Sequence, residues 1–189
     1  MSKQRAVLDA NVLYGGFLRD LLLSVFAAGL YEAKWTEEIT AEWVRHLLKN
    51  RSNVTAESNA RTVLRMHQIR PSALVENYKH LIESIDLPDK DDRHVVAAAI
   101  ACQAQKIVTR NLRDFPSEIL GAFGIVAQSP DSFLSELIRE NAEGVVAAFR
   151  AMRKRFKKPP MSVNDFFSAL EKHELALTAK QLAHLRDLL

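Results

Sequence analysis

Acidic side chains occur in this sequence where the ends of strands and helices would bring them together. Asp9 directly follows the apolar run at residues 6–8, and Asp114 lies just beyond a second apolar run at residues 106–109. The other acids of interest are Glu42, on a predicted helix, and Asp89, Asp91 and Asp92, at the start of a later one. Converging carboxylates repel one another unless a cation lies among them, and oxygen-only ligands favour Mg²⁺ or Mn²⁺. The pattern predicts a divalent metal site.

The elements that would position these acids follow an alternating order. Short apolar runs predict strands at residues 6–8, 32–35, 106–109 and 125–127. Helices are predicted between and after them, at residues 17–29, 37–50, 55–69, 72–85 and from residue 93, with a turn at 11–16. Such alternation is typical of an α/β fold with a mostly parallel sheet, in which the carboxyl ends of the strands meet at one edge.

Beyond Pro130 the sequence predicts only helices. Val145, Phe149, Met152 and Phe156 have the spacing of one apolar helix face. Six of the nine residues at 150–158 are Lys or Arg, and they predict a basic face opposite that stripe. The pairs Ser162 with Asp165 and Thr178 with Gln181 have the spacing of caps for two final helices.

Composition narrows the class of protein. The 189 residues are 48% hydrophobic, enough for a substantial core, and 26 basic against 23 acidic residues are compatible with a polyanionic partner. Cys102, the single cysteine, is interpreted as a small core residue. The apolar stretches are too short for a signal-peptide core or a membrane span, so a cytoplasmic protein without membrane association is expected.

Four motifs in order resemble the PIN-domain nucleases, and specifically the toxins of bacterial VapBC-like toxin-antitoxin systems. Together they extend from about residue 6 to residue 130. The motifs are Val7-Leu8-Asp9-Ala10-Asn11-Val12-Leu13, Ile39-Thr40-Ala41-Glu42-Trp43, Pro88-Asp89-Lys90-Asp91-Asp92-Arg93-His94-Val95-Val96-Ala97-Ala98-Ala99 and Ile107-Val108-Thr109-Arg110-Asn111-Leu112-Arg113-Asp114-Phe115.

The resemblance implies a role for each acid. Asp9, Glu42 and Asp92 would be metal-site acids and Asp114 the more variable fourth, with Asn11 supporting the loop around Asp9. Asp89 would act beside them or hold a second ion, and Asp91 is the expected helix cap. The implied organisation is a three-layer α/β/α PIN-like domain at residues 1–140, followed by a helical extension at residues 141–189.

The same resemblance implies a metal-dependent endoribonuclease that hydrolyses RNA phosphodiester bonds and leaves a 5′-phosphate. It also implies a small antitoxin partner with a DNA-binding domain, and it is compatible with a homodimer. The residues predicted to contact RNA are Arg93, Arg110, Arg113, Arg153, Lys154 and Lys157.

Several alternatives remain open from the sequence alone. Asn111 competes with Asp114 for the fourth position, Glu38 could reach the same edge as Glu42, and His94 is interpreted as structural or near the substrate. One or two ions could act. An inactive PIN-fold binding module is a rival, and so is a HAD-like phosphatase, although Asn11 stands where that family needs an Asp as general acid.

Overall fold

The computed structural model describes residues 3–52 and 54–189. By contacts, the chain divides into two compact units. One, the sheet unit, comprises the residues up to Gly15 together with Tyr31–Gln128; the other, the helical unit, comprises Gly16–Leu30 and Ser129–Leu189. The domain boundary expected at residue 140 stays a prediction.

Four strands form the sheet in the part of the chain described: β1 (Arg5–Leu8), β2 (Glu32–Lys34), β3 (Lys106–Val108) and β4 (Val126–Gln128). Their order is β2-β1-β3-β4, and every pairing is parallel. The central strands β1 and β3 carry apolar side chains that are wholly buried, as expected for a parallel sheet covered on both faces. The predicted three-layer α/β/α fold is confirmed.

Helices make up most of the remaining structure. Over the described residues they are α1 (Ala10–Leu13), α2 (Gly16–Ala27), α3 (Glu37–Asn50), α4 (Ala56–Ile69), α5 (Arg93–Ala101), α6 (Ser117–Gly121), α7 (Pro130–Glu140), α8 (Ala142–Arg153), α9 (Val163–Lys172) and α10 (Ala176–Leu182). Within the described ranges, none is long and apolar enough to cross a membrane.

Two helices orient the polar edge of the sheet unit. Helix α3 begins after Thr36, whose hydroxyl accepts a hydrogen bond from the Ile39 amide at 3.0 Å, as predicted for an N-cap. Its apolar face buries Ile39, Trp43 and Leu47, so Glu42 lies at the margin of that face. Helix α5 buries small alanines, which let it lie close against the sheet.

Two predictions for the sheet unit are wrong. The expected turn at residues 11–16 contains α1, because the Asp9 side chain accepts the Ala10 amide and begins a helix there. The expected helix at residues 72–85 is two 3-10 segments, Pro71–Ala73 and Lys79–Ser84. Between them the backbone pairs with Trp35, whose carbonyl accepts from the Val75 amide at 2.8 Å, and this pairing competes with helical hydrogen bonds.

The helical unit confirms part of the predicted apolar stripe. Val145, Phe149 and Met152 are buried, but Phe156 is 36% exposed because α8 ends at Arg153 and does not carry the stripe further. Ser162 and Asp165 form the predicted capping box of α9.

The cap predicted for the last helix is wrong. Thr178 lies inside α10, and the Asp131 carboxylate of α7 accepts its backbone amide at 2.8 Å and the Leu177 amide at 2.9 Å. A side chain distant in sequence therefore caps the last helix, and the local S/T-x-x-E/Q pattern at residues 178–181 does not.

Candidate active site

Asp9 is held at the junction of β1 and α1. Its side chain is buried, with 4% of the residue exposed. One carboxylate oxygen accepts the Ala10 amide at 2.6 Å, and the other accepts the Thr109 hydroxyl at 2.7 Å and the Asn11 side-chain amide. Because β1 and β3 are adjacent and parallel, the residues that follow them meet at one edge, and this places Asp9 beside Thr109.

Thr109 links the two strand ends and was not singled out by the sequence. It is fully buried, and its hydroxyl donates to Asp9 while accepting the Asn111 amide at 3.0 Å and the Asn11 side chain at 2.9 Å. The side-chain oxygen Oδ1 of Asn11 accepts a hydrogen bond from the Arg110 backbone amide at 3.0 Å. The sequence did contain a signal for Thr109, because this hydroxyl residue directly follows a buried strand that would lie next to the strand before Asp9.

Glu42 and His94 bring α3 and α5 together. His94 Nε2 lies 3.7 Å from Glu42 Oε2, and His94 is 7% exposed. Burial lowers the pKa of His94, but the ion pair with Glu42 and the other nearby carboxylates outweigh it, so the net pKa is raised. The same pairing with His94 is the largest cause of the lowered pKa of Glu42. The pair thus favours a charged carboxylate opposite a charged imidazole.

Three further acids cluster at the start of α5. Asp89, Asp92 and Asp114 each offer an oxygen, and these oxygens lie within 4.8 Å of one another. Asp89 accepts the Asp91 amide at 2.9 Å, so Asp89 is the cap here and the prediction of Asp91 as cap is wrong. Asp92, at the N-terminus of α5, makes no capping hydrogen bond, which leaves its carboxylate available to the cluster.

Asn111 and Asp114, alternatives in the sequence, are partners in the structure. The Asn111 side-chain amide donates to Asp114, whose carboxylate lies in the cluster. Glu38 is also engaged, because the Tyr78 hydroxyl donates to it at 3.0 Å.

Crowding of these acids alters their titration. Burial is the largest cause raising the pKa of Asp92 to about 7, and the charges of Asp9, Asp89, Asp114 and Glu42 raise it further. Burial also raises the pKa of Asp9, and the Thr109 hydrogen bond opposes that rise. Negative charge is thus in excess at this edge. An oxygen-only set of this kind fits a hard divalent cation, which would relieve the repulsion.

All of the acids described above for this site except Asp114 line one cleft of about 870 Å³ in the sheet unit. Its acidic lining residues are Asp9, Glu38, Glu42, Asp89, Asp91 and Asp92. Four lining residues that the sequence analysis missed are Tyr14, Arg45, His46 and Asn50. Helical spacing could have indicated three of them, because Arg45, His46 and Asn50 follow Glu42 by three, four and eight residues on α3.

The residues predicted to bind RNA lie in both units. Arg93 is half-buried, with Nη1 3.6 Å from Glu83 and Nε donating to the Lys90 carbonyl, whereas Arg110 and Arg113 are exposed. In the helical unit Lys154 and Lys157 are exposed. Arg153 instead donates to the Met161 and Leu189 carbonyls at 2.6 and 2.7 Å.

Comparison with known proteins agrees with this geometry. A family model described as PIN domain matches residues 5–113, which include the acids from Asp9 to Asp92, and a model described as VapC50 C-terminal domain matches residues 130–184. The protein named "Putative ribonuclease VapC50" from Mycobacterium tuberculosis is 33% identical over 109 residues. That match covers 58% of this chain and 64% of the relative, less than two thirds of its length. No solved structure matches.

Proposed function

Because this chain belongs to the PIN-domain family, we propose that it is an endoribonuclease that depends on a divalent cation. The observation that carries the proposal is the convergence of carboxylates on one cleft from three elements. Asp9 comes from the end of β1, Glu42 from α3 and Asp92 from the start of α5. The raised pKa of Asp92, caused first by burial and then by its acidic neighbours, supports a cation as the natural occupant.

Asp9, Glu42 and Asp92 would hold the ion, Mg²⁺ or Mn²⁺, with Asp114 as a fourth ligand and Asp89 beside them. The oxygen-only donor set favours these two ions over softer metals. When bound, such an ion polarises a phosphate oxygen and lowers the pKa of water for in-line attack on phosphorus. Hydrolysis of this kind would leave a 5′-phosphate on the product.

The chain's own residues would keep the acids in position. Thr109 and Asn11 fix the Asp9 carboxylate through their hydrogen bonds. His94 orients Glu42 and, when charged, keeps it ionised. These contacts restrict the rotamers of the ligands before any ion arrives, which is what accurate placement of a metal requires.

RNA as the substrate and a toxin role rest on likeness to the relative named as a ribonuclease. We extend the proposal to a small antitoxin partner with its own DNA-binding domain, which would inhibit the enzyme in growing cells, and to assembly as a homodimer. The HAD-like phosphatase alternative is wrong, because the chain belongs to a different family and Asn11 binds Asp9 where that mechanism needs an acid.

The test is cleavage of single-stranded RNA by the purified chain. We expect Mg²⁺ or Mn²⁺ to support cleavage, EDTA to stop it, and the products to carry 5′-phosphates. The Asp9→Asn variant should be inactive, while Asp187→Asn, which removes an exposed acid of the helical unit, should retain activity. If the wild-type chain cleaves RNA neither with Mg²⁺ nor with Mn²⁺, the nuclease proposal is wrong and an inactive PIN-fold binding module replaces it.

A further inference from the structure

We propose that Tyr14, Arg45 and His46 form a second binding subsite of the cleft, which holds the nucleotide next to the bond that is cut. Arg45 and His46 would contact its phosphate, and Tyr14 would stack on its base. The inference rests on the proposed function and deepens it, because it names the part of the RNA that the non-acidic residues of the same cleft would bind.

Helix geometry places two basic side chains beside the acids. Arg45 and His46 follow Glu42 by three and four residues on α3, and residues at these spacings are neighbours on a helix surface. Both are exposed and both line the cleft. His94 makes the largest contribution to the lowered pKa of Glu42, and the charges of His46 and Arg45 lower it further. Both side chains therefore lie close enough to Glu42 to interact with its carboxylate.

The charge of the cleft makes Arg45 important for a polyanion. Six acids line it, and among the described residues that line it Arg45 is the only Lys or Arg. A cation held by the acids would offset part of their charge, but a neighbouring phosphate would still meet an acidic wall elsewhere in the cleft. Arg45 lies three residues beyond Glu42 on α3, about 4.5 Å along the helix axis, and supplies positive charge at the scale of one nucleotide step.

Tyr14 supplies an aromatic surface in the same cleft. It lies one residue beyond the end of α1, is half-buried and lines the cleft. The Arg51 guanidinium lies over its ring, 5.3 Å from the centroid. This cation–π contact fixes the orientation of the ring, and a ring fixed in advance loses less freedom when a base stacks on it. Stacking on an aromatic side chain tolerates any base, so this subsite would grip RNA without reading its sequence.

The experiment measures RNA affinity separately from cleavage. Each substitution is introduced into the Asp9→Asn chain, and binding of a fluorescent single-stranded RNA in Mg²⁺ is followed by anisotropy at several salt concentrations. Arg45→Gln should weaken binding roughly tenfold and reduce the slope of log affinity against log salt by about 0.7, the value for one lost phosphate contact on a single strand. Arg45→Lys should restore most of both, since the charge is retained.

Tyr14 is tested by a matched pair in the same background. Tyr14→Leu should weaken binding roughly tenfold without changing the salt slope, because stacking releases no counterions. Tyr14→Phe should bind within about twofold of its parent, because the ring is kept. Lys49→Gln is the charge control, since Lys49 is exposed on α3 but does not line the cleft.

The outcomes separate the two proposals. If Arg45→Gln behaves like Lys49→Gln in affinity and slope, or Tyr14→Leu like Tyr14→Phe, the subsite is wrong although the nuclease assignment stands. If the chain with intact Asp9 cleaves no RNA, the proposed function fails and the subsite fails with it. Melting temperatures of all variants distinguish loss of binding from loss of folding.

Discussion

At the scale of single residues, the position of Asp9 depends on the Thr109 hydroxyl. This hydroxyl donates to one Asp9 oxygen at 2.7 Å in a fully buried setting, and it lowers the pKa of Asp9 against the larger effect of burial. Thr109→Val keeps the shape but removes the donor. An unpaired buried oxygen is costly, and loss of a hydrogen bond that orients a metal ligand typically reduces metal affinity or activity about 10–100-fold.

We therefore expect Thr109→Val to reduce RNA cleavage by about 10–100-fold and to raise the Mn²⁺ concentration needed for half-maximal rate. Thr109→Ser retains the hydroxyl and should stay close to wild type. Equal rates for the valine and serine variants would show that the hydrogen bond has no role in the site.

Asp92 links stability to pH when no metal is bound. Its pKa of about 7 in the folded chain, raised by burial and by neighbouring acids, lies above the ordinary value of 3.8. An acid with a raised pKa contributes stability that is fully present below its ordinary pKa and is lost as pH rises through its folded pKa. Asp92→Asn removes this dependence.

In EDTA, the melting temperature of Asp92→Asn should therefore exceed that of wild type by an amount that grows between about pH 4 and about pH 7. Asp91→Asn, which changes an exposed neighbouring acid, serves as the control and should show a smaller dependence. A constant difference between Asp92→Asn and wild type across this range would contradict the crowding of acids around Asp92.

The sequence indicated Asp9 and Asp92 because they stand at a strand end and a helix start, where a parallel sheet brings chain ends together, and Glu42 because it lies at the margin of an apolar helix face. It could not indicate the pairing of Glu42 with His94, which depends on the rotation of α3 against α5. Thr109 and Arg45 were missed because their residue types are ordinary at the end of a strand and on an exposed helix face. Their significance arises only from what lies beside them.

At the scale of elements, the sequence pattern correctly predicted the helix caps whose hydrogen bonds join residues close in sequence. The capping box of α9 and the N-cap of α3 are of this kind. The expected helix at residues 72–85 failed because the Trp35 backbone competes for its hydrogen bonds, and the cap of α10 failed because Asp131 supplies it from α7. Contacts between residues distant in sequence override local preference in both cases.

The basic residues at and after the end of α8 are of two kinds, some hydrogen-bonded within the fold and some exposed. Arg153 binds two backbone carbonyls and Arg155 donates to Ser24 at 2.8 Å, whereas Lys154 and Lys157 are exposed. We expect Arg153→Gln to destabilise the chain by roughly 1–3 kcal/mol, lowering the melting temperature by several degrees. Lys154→Gln with Lys157→Gln should leave folding intact.

If these lysines contact phosphates, the double lysine variant should weaken RNA binding and reduce the salt slope by about 1.4, or 0.7 for each contact. Lys172→Gln with Lys180→Gln removes the same charge from exposed positions of the helical unit. Matching affinities and slopes for the two double variants would leave the basic segment with a solubilising role alone.

At the scale of the whole molecule, the proposed nuclease would harm the cell that makes it. Expression of the chain without a partner in a bacterial host should slow growth and degrade cellular RNA, because nothing would then inhibit the cleft. The Asp9→Asn chain, made to the same level, should do neither. Normal growth with abundant wild-type chain would contradict the toxin role and favour a nuclease that acts in RNA processing.

Mn²⁺ binding measured by electron paramagnetic resonance tests most directly the proposal that Asp9, Glu42 and Asp92 hold a divalent cation. We expect saturable binding to the wild-type chain, at least roughly tenfold weaker binding to Asp9→Asn and Asp92→Asn, and unchanged binding to Asp187→Asn. Equal Mn²⁺ affinity in Asp92→Asn and wild type, or no binding to the wild-type chain at all, would contradict it.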